Sequence, residues 1–313
     1  MKDILGKRNY FFLLSLLIIV PGIISMATLG FRLGIAFTGG DRITVHFRSG
    51  VTLSQVQAEV DKLGVDPVVQ DAGNSRAIVT TKPLGIGAPP GAKSESQRVR
   101  EDLNQKFGPA PGGGPAVETF DSVGPQVASQ LVGTAAVLIF ISSLFIVIYL
   151  AVRFSVPGIG RWKFAVSAII ALLHDVFVLT GVFSILGRVF NLAIGEVDIL
   201  FVTAALTVVG FSVHDTIVIF DRIRENLRSG GSQRLRQNFE AVVNLSIVQS
   251  LARSINTSMT VIFVLLALLL LAPVSIKGFA LALLVGIISG TYSSIFNASP
   301  LLVAWRNWEL SRR

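Results

Sequence analysis

One acid lies deep in an apolar run. Asp215 follows His214 within the segment DILFVTAALTVVGFSVHDTIVIFDRIREN, which covers 198–226. Such a stretch is long enough to cross a bilayer, because a span needs about 20 residues at 1.5 Å each. A carboxyl there costs about 2.5–3.5 kcal/mol on insertion scales, so its default reading is a proton or ion site with a partner. A second pair, His174-Asp175, sits near the middle of another apolar run. A single basic residue, Arg253, opens a third run and is followed by SINTS.

Helical geometry sorts these residues. Thr203, Thr207, Gly210, His214 and Asp221 stand at i, i+4, i+7, i+11 and i+18. At about 100° per residue they share one side of a helix, a polar seam that faces neighbours rather than lipid. Asp215 lies six residues before Asp221, which puts it about 9 Å inward from the helix end. Arg253 occupies the matching end of the next, antiparallel run, so the depths permit an Asp215–Arg253 ion pair. Burial raises a carboxyl pKa in general and a nearby guanidinium lowers it. A movement that separates the two therefore changes protonation, which is the least a chain needs to couple a proton step to a conformational one. Each residue also has a plainer role open to it. Arg253 alone would snorkel to headgroups. His214 would serve as a hydrogen-bonded packing residue, and Asp175 as a structural partner of His174 or of a neighbouring helix. Asp221, Arg222, Arg224 and Glu225 read as an interfacial anchor with local ion pairs.

Enzyme chemistry finds little support. The chain has no H-E-x-x-H pattern, no Walker-type loop and no G-x-S-x-G elbow. Both intramembrane aspartates follow histidine, which is unlike the Gly-Asp setting of an intramembrane aspartyl protease. The stretch GPAPGGGP at 108–115 reads as a linker, not a nucleotide loop. No enzyme activity and no cofactor are expected.

The elements that position these residues follow from composition. The 313 residues are 51% hydrophobic and 15% charged, without cysteine, and the mean hydropathy is +0.67. This composition fits a polytopic membrane protein and excludes disulfides, thiol catalysis and cysteine-based zinc sites. The net charge of +8 does not point to nucleic acid, because the arginines flank apolar spans as positive-inside topology requires.

Along the chain, a basic start at 1–9 precedes an apolar first span at 10–30, too long for a signal-peptide core. Pro21-Gly22 is a candidate kink. Residues 31–130 leave the membrane and return to it. Within them the periodicities predict a strand at 42–49, a helix at 52–63, strands at 65–70 and 76–81, a helix at 95–107 and a last strand at 116–120. The order β-α-β-β-α-β is the split βαβ, ferredoxin-like arrangement. Five more spans fill 131–305: 131–152, 164–186, 199–220, 254–271 and 278–305. The segment 221–252 is read as a cytoplasmic loop with an amphipathic surface helix at 235–245, and 306–313 as a short tail. With an inside N-terminus, every Lys/Arg-rich connection falls on the cytoplasmic side, and the turns 187–197 and 272–277 fall outside carrying only Arg188 and Lys277. The α+β domain then lies outside as well. The fold expected is a six-helix membrane protein with one extracytoplasmic α+β domain between helices 1 and 2.

Several longer stretches carry a resemblance. FTGG at 37–40, DSVGPQV at 121–127, ALLHDVFVLTGVFSILG at 171–187, VGFSVHDTIVIFDRIREN at 209–226 and GTYSSIFNASPLL at 290–302 together resemble the SecF family, within the resistance–nodulation–division superfamily. The resemblance implies a bacterial inner-membrane subunit that pairs with SecD into a pseudo-symmetric twelve-span unit. It implies proton-motive-force-driven help to the Sec translocon channel and its accessory subunits in moving unfolded preproteins. It also implies an essential aspartate matched by Asp215 and a membrane arginine matched by Arg253. The residue before that aspartate is commonly asparagine and here is His214, a residue type that can join a proton relay or meet the acid with a neutral hydrogen bond.

The expected function is thus an auxiliary export subunit. Asp215 would accept the proton, Arg253 would be its charge partner, and His214, Asp175 and His174 would be secondary relay candidates. Two rivals remain: a structural scaffold of the translocon that conducts nothing, and a small-molecule proton-coupled exporter. A six-span half with one small outer domain weighs against the second.

Overall fold

The computed structural model describes residues 4–47, 51–64, 67–73, 75–84, 93–108, 113–153, 161–229 and 238–312. Much of the Gly/Pro loop at 84–94, the linker at 108–115, the basic turn at 153–163 and part of the 221–252 segment lie outside these. Two compact units emerge. One comprises Met1–Gly30, Val137–Ile185 and Leu200–Arg313, and the other Phe31–Ala136 with Leu186–Ile199.

The first unit is helical. Helix α1 (Arg8–Thr28) runs through Pro21. The glycine beside that proline makes a close approach to another helix. A Cβ on Gly22 would lie 2.8 Å from the Cα of Gly181, so two helix backbones touch there. Gly181 belongs to α6 (Arg161–Ser184). Helix α5 (Pro125–Arg153) precedes α6. Helix α7 (Ile199–Ser229) carries on past the expected end of its span. Helix α8 (Phe239–Leu271) differs from expectation in the same way. Residues 239–245 do not form a separate surface helix, because no breaker interrupts the chain. Phe239, Val242, Val243, Ser246, Ile247 and Ser250 recur at helical spacing and are buried, so one continuous helix carries that face inward. Helix α9 (Val274–Ser293) passes through a π turn, Ser294–Ala298, into α10 (Ser299–Leu310). Among the described residues, six helical stretches are long and apolar enough to cross a membrane: Leu5–Thr28, Pro125–Ile146, Trp162–Val189, Ile199–Ser229, Phe239–Leu271 and Ser275–Leu310.

The core of this unit gathers Phe164, Phe220, Ile223, Val243, Ile247, Leu302 and Val303. Phe164 and Phe220 meet edge to face with ring centroids 5.1 Å apart. The amide of Ile4 donates to Asn244 Oδ1 at 3.0 Å, fastening the start of the chain to α8. Past the core, Asn226 donates to Ser246 and Gln249 at 2.8 and 2.9 Å. Arg222 donates to Gln249 at 2.8 Å, which ties the ends of α7 and α8 together.

The second unit is a small sheet with two helices. After a single-turn helix α2 (Ile35–Thr38) come β1 (Gly40–His46), α3 (Leu53–Lys62), β2 (Val68–Gly73), β3 (Arg76–Thr81), α4 (Glu95–Phe107) and β4 (Val117–Val123). The four strands are antiparallel in the order β2-β3-β1-β4, the order that a split βαβ produces. Both helices begin with a capping box, Thr52 with Gln55 and Ser94 with Gln97, which satisfies two first-turn amides each. Ile43, Val45, Val56, Val60, Val79, Val99 and Leu103 fill the space between sheet and helices.

The segment 186–199 also belongs to this unit. It is more than the short turn its length suggests. Leu33 and Val197 form a parallel bridge. Gly34 N–H donates to Val197 O at 2.9 Å and Val197 N–H donates to Arg32 O at 2.8 Å. Arg188 places Nε and Nη2 on Phe31 O at 3.0 and 2.8 Å.

Candidate functional site: two buried acids in the membrane helices

Asp175 lies on α6 and is 0% exposed. Three serine hydroxyls converge on it. Ser212 from α7 donates to Oδ2 at 2.5 Å, and Ser293 from α9 donates to the same oxygen at 2.7 Å. Ser289, one turn earlier on α9, donates to Oδ1 at 2.6 Å. His174 Nδ1 meets Oδ1 at 3.0 Å. Both oxygens are therefore satisfied twice over, as a buried carboxylate demands. The imidazole passes the network on, since its Nε2 lies 3.1 Å from Ser15 Oγ on α1. Asn297 in the π turn donates to Ser15 Oγ at 3.0 Å, and Tyr292 donates to Phe11 O at 2.7 Å. One acid thus binds α1, α6, α7 and α9 together.

Asp215 has a different setting. It is 3% exposed, one turn beyond Ser212 on α7, and its Oδ2 has no hydrogen-bond partner among the described residues. The hydroxyls of Thr291 on α9 and Ser254 on α8 face its carboxyl group. Ser254 Oγ is likewise without a partner. Thr291 is held by a 2.5 Å contact with Ser258 of α8 and a 2.9 Å bond to Ile287 O. The first acid is saturated with donors; the second keeps an oxygen open in a pocket of hydroxyls.

The other expected residues fall elsewhere. Arg253 is exposed, and no ion pair joins it to Asp215 among the described residues. The cause is helical phase. Ser254, about 100° further round, points into the bundle where an arginine was expected. His214 is exposed too, on the opposite side of α7 from the core, together with Thr203, Thr207 and Gly210. The polar seam exists, and it faces outward from this chain. Asp221 pairs with Arg153 at 3.1 Å and Arg224 at 3.8 Å, and Arg222 pairs with Glu225 at 2.6 Å, so this group is a set of local ion pairs.

Sequence reasoning missed the hydroxyls. Ser289, Ser293 and Asn297 recur every four residues in an apolar run, and that spacing was the available signal. Among the described residues no cluster of three or more His, Asp or Glu side chains is placed to hold a metal.

Six apolar helices, a β-α-β-β-α-β unit inserted after the first, and buried acids on the third and fourth define a polytopic membrane protein of the transport type. The family described as protein export membrane protein SecD/SecF, C-terminal, matches residues 112–308. The chain belongs to this SecD/SecF family. It is 44% identical over its whole length to the protein translocase subunit SecF of Thermobaculum terrenum, covering 96% of that relative. It is 35% identical to the SecDF subunit of Bacillus subtilis, matching 99% of this chain and 39% of that longer one. The crystal structure of SecDF from Thermus thermophilus, a translocon-associated membrane protein, superposes with a TM-score of 0.81 at 31% identity, covering 98% of this chain and 39% of the other. SecDF in its super-membrane-facing form gives 0.61 at 29% identity, covering 99% and 39%.

Proposed function

We propose that this chain is the SecF-type half of a two-part export complex in the bacterial inner membrane, using the proton motive force to help preproteins leave the translocon. The observation that carries the proton step is Asp215, buried on a membrane helix with one oxygen unpaired. Intramembrane acids of this kind mark ion or proton paths. One charge moved through 100 mV is worth about 2.3 kcal/mol, enough to bias a two-state helix arrangement.

Pairing with a SecD-type partner accounts for what the single chain leaves outside. Thr203, Thr207, His214 and Arg253 are exposed on apolar helices, where lipid contact would be costly. A second six-helix half would cover them. In B. subtilis one chain carries the match in 39% of its length, which leaves room for such a half. Within the assembled complex Arg253 faces the partner half and supplies it with a charge that the single chain leaves outside the bundle. Asp175 and His174 hold the helices that present Asp215 rather than carrying the proton. Both termini are cytoplasmic and the ferredoxin-like unit is extracytoplasmic, where it meets the emerging polypeptide. The gradient supplies the energy, so the chain acts without covalent catalysis or a cofactor.

The test is preprotein export in membranes carrying Asp215→Asn, with co-purification of the partner subunit from the same cells. Intact partner binding with lost export supports the proton step at Asp215. Unchanged export overturns it and favours a scaffold.

A further inference from the structure

The loop between the third and fourth spans contains a buried acid that the export reading leaves unused. Glu196 is 7% exposed and stands three residues before the first residue of α7. Its Oε1 lies 3.5 Å from Arg42 Nη1 on β1. A Cβ on Gly34 would sit 2.5 Å from the same oxygen, so the carboxylate packs directly against the Gly34 backbone. On both sides the segment is stitched down. The Gly34–Val197 and Val197–Arg32 backbone bonds flank Glu196. Further back, Gln70 of β2 donates to Asn191 O at 3.4 Å, and Arg32 donates to the Asn191 side chain. We propose that Glu196 is a proton-sensitive latch, a positioning residue that fastens the segment leading into α7 to the base of the α+β unit.

The charged groups around Glu196 are Arg42 on β1, Arg32 before α2 and Asp198 on its own segment; Arg188 acts on Arg32. Burial pushes the Glu196 carboxyl above its ordinary value, and Asp198 adds to the shift, while Arg42 and Arg32 oppose it. The sign follows by linkage. Closed and buried, the group holds its proton more tightly than when open to water, so protonation favours the closed latch. Closure is fully supported below the ordinary glutamate value and weakens as pH rises through the raised one. Acidity fastens the 192–199 segment within its own unit, and alkalinity loosens it. The latch does not depend on the assignment of the proton step to Asp215.

Amide hydrogen exchange on the full chain in nanodiscs reads this directly. Peptides covering 31–36 and 192–199 are followed from about pH 8 to about pH 5, with protection corrected for intrinsic rates. In the unaltered protein, protection rises as pH falls, about tenfold for each unit separating the closed from the open pKa. Glu196→Gln, which mimics the protonated group, stays protected across the range and loses the pH dependence. Arg42→Gln lowers protection at high pH only. Amides of the β1–β3 ladder report that the unit remains folded. Equal pH dependence in the unaltered protein and Glu196→Gln, or none in either, overturns the latch. Should Glu196→Gln misfold, a flat profile in the unaltered protein still overturns the latch, and so does an Arg42→Gln profile identical to that of the unaltered protein. Export plays no part in the readout, so the latch and the export reading fail separately.

Discussion

Ser212 donates its hydroxyl to Asp175 at 2.5 Å, and Asp215, one turn further along the same helix, leaves Oδ2 without a partner. Two carboxyls on neighbouring helices thus sit on successive turns of one contact, one closed by donors and one open. Their substitutions separate cleanly. Asp175→Asn places an amide NH2 against hydroxyl donors and destabilises the helical unit by about 1–3 kcal/mol, the cost of an unsatisfied buried group. Asp175→Ala strands three serines and a histidine and costs more. Asp215→Asn stays within about 1 kcal/mol of the parent, since the open oxygen has no bond to lose. Thermal unfolding in detergent checks the order. Equal losses at the two positions would contradict the cage.

Arg253→Ala tests whether the exposed arginine serves a partner. Exposed and unpaired with Asp215, it changes the unfolding of the isolated chain by no more than about 0.5 kcal/mol. Export in membranes falls sharply. Wild-type export from this variant would remove Arg253 from the mechanism.

The Gly22–Gly181 approach makes a packing prediction. A methyl on either glycine meets backbone at 2.7–2.8 Å, so helices α1 and α6 must part. Gly22→Ala costs about 1–3 kcal/mol as overpacking, and Gly22→Leu more. A neutral effect on the melting temperature of either variant would refute the contact.

In the α+β unit, Glu118 on β4 accepts from Arg76 Nε and Nη2 at 2.8 and 3.0 Å, and His46 Nδ1 lies 3.0 Å away. The Arg76 hydrogen bonds hold the Glu118 carboxyl below its ordinary value. An acid with a lowered folded pKa stabilises above its unfolded value and loses that contribution as pH falls through the folded one. Because the pair is partly exposed, its worth is at most about 1 kcal/mol. Glu118→Gln removes that much of the acid-side pH dependence of sheet exchange and leaves neutral-pH protection nearly intact. An unchanged acid limb would show that the pair contributes nothing.

The membrane helices were legible because apolar runs of about 20 residues leave little choice of structure in lipid. The strands and helices of 40–123 were legible through alternation and helical spacing, while the Ser94 cap of α4 emerged only with the structure. Reading failed where phase decided the outcome. Arg253 and Ser254 differ by one position in the chain and by about 100° in direction, and depth alone could not choose between them. Glu196 looked like part of a turn because the parallel bridge of Leu33 with Val197 joins residues far apart in sequence. The serines around Asp175 were visible as letters, but only packing reveals that three hydroxyls meet at one carboxylate.

The π turn at Ser294–Ala298 acts as a vernier. In an unbroken α-helix each step of four residues advances about 40° around the axis, so a run such as Ser289, Ser293, Asn297 would wind off its seam. A wide turn sets the phase back, and Asn297 returns to the side where Ser15 waits. Closing that wide turn to an ordinary α turn with no residue removed would therefore do more than tighten one loop. It would spin the whole of α10 about its axis, carrying buried Leu302 and Val303 away from the seats they occupy.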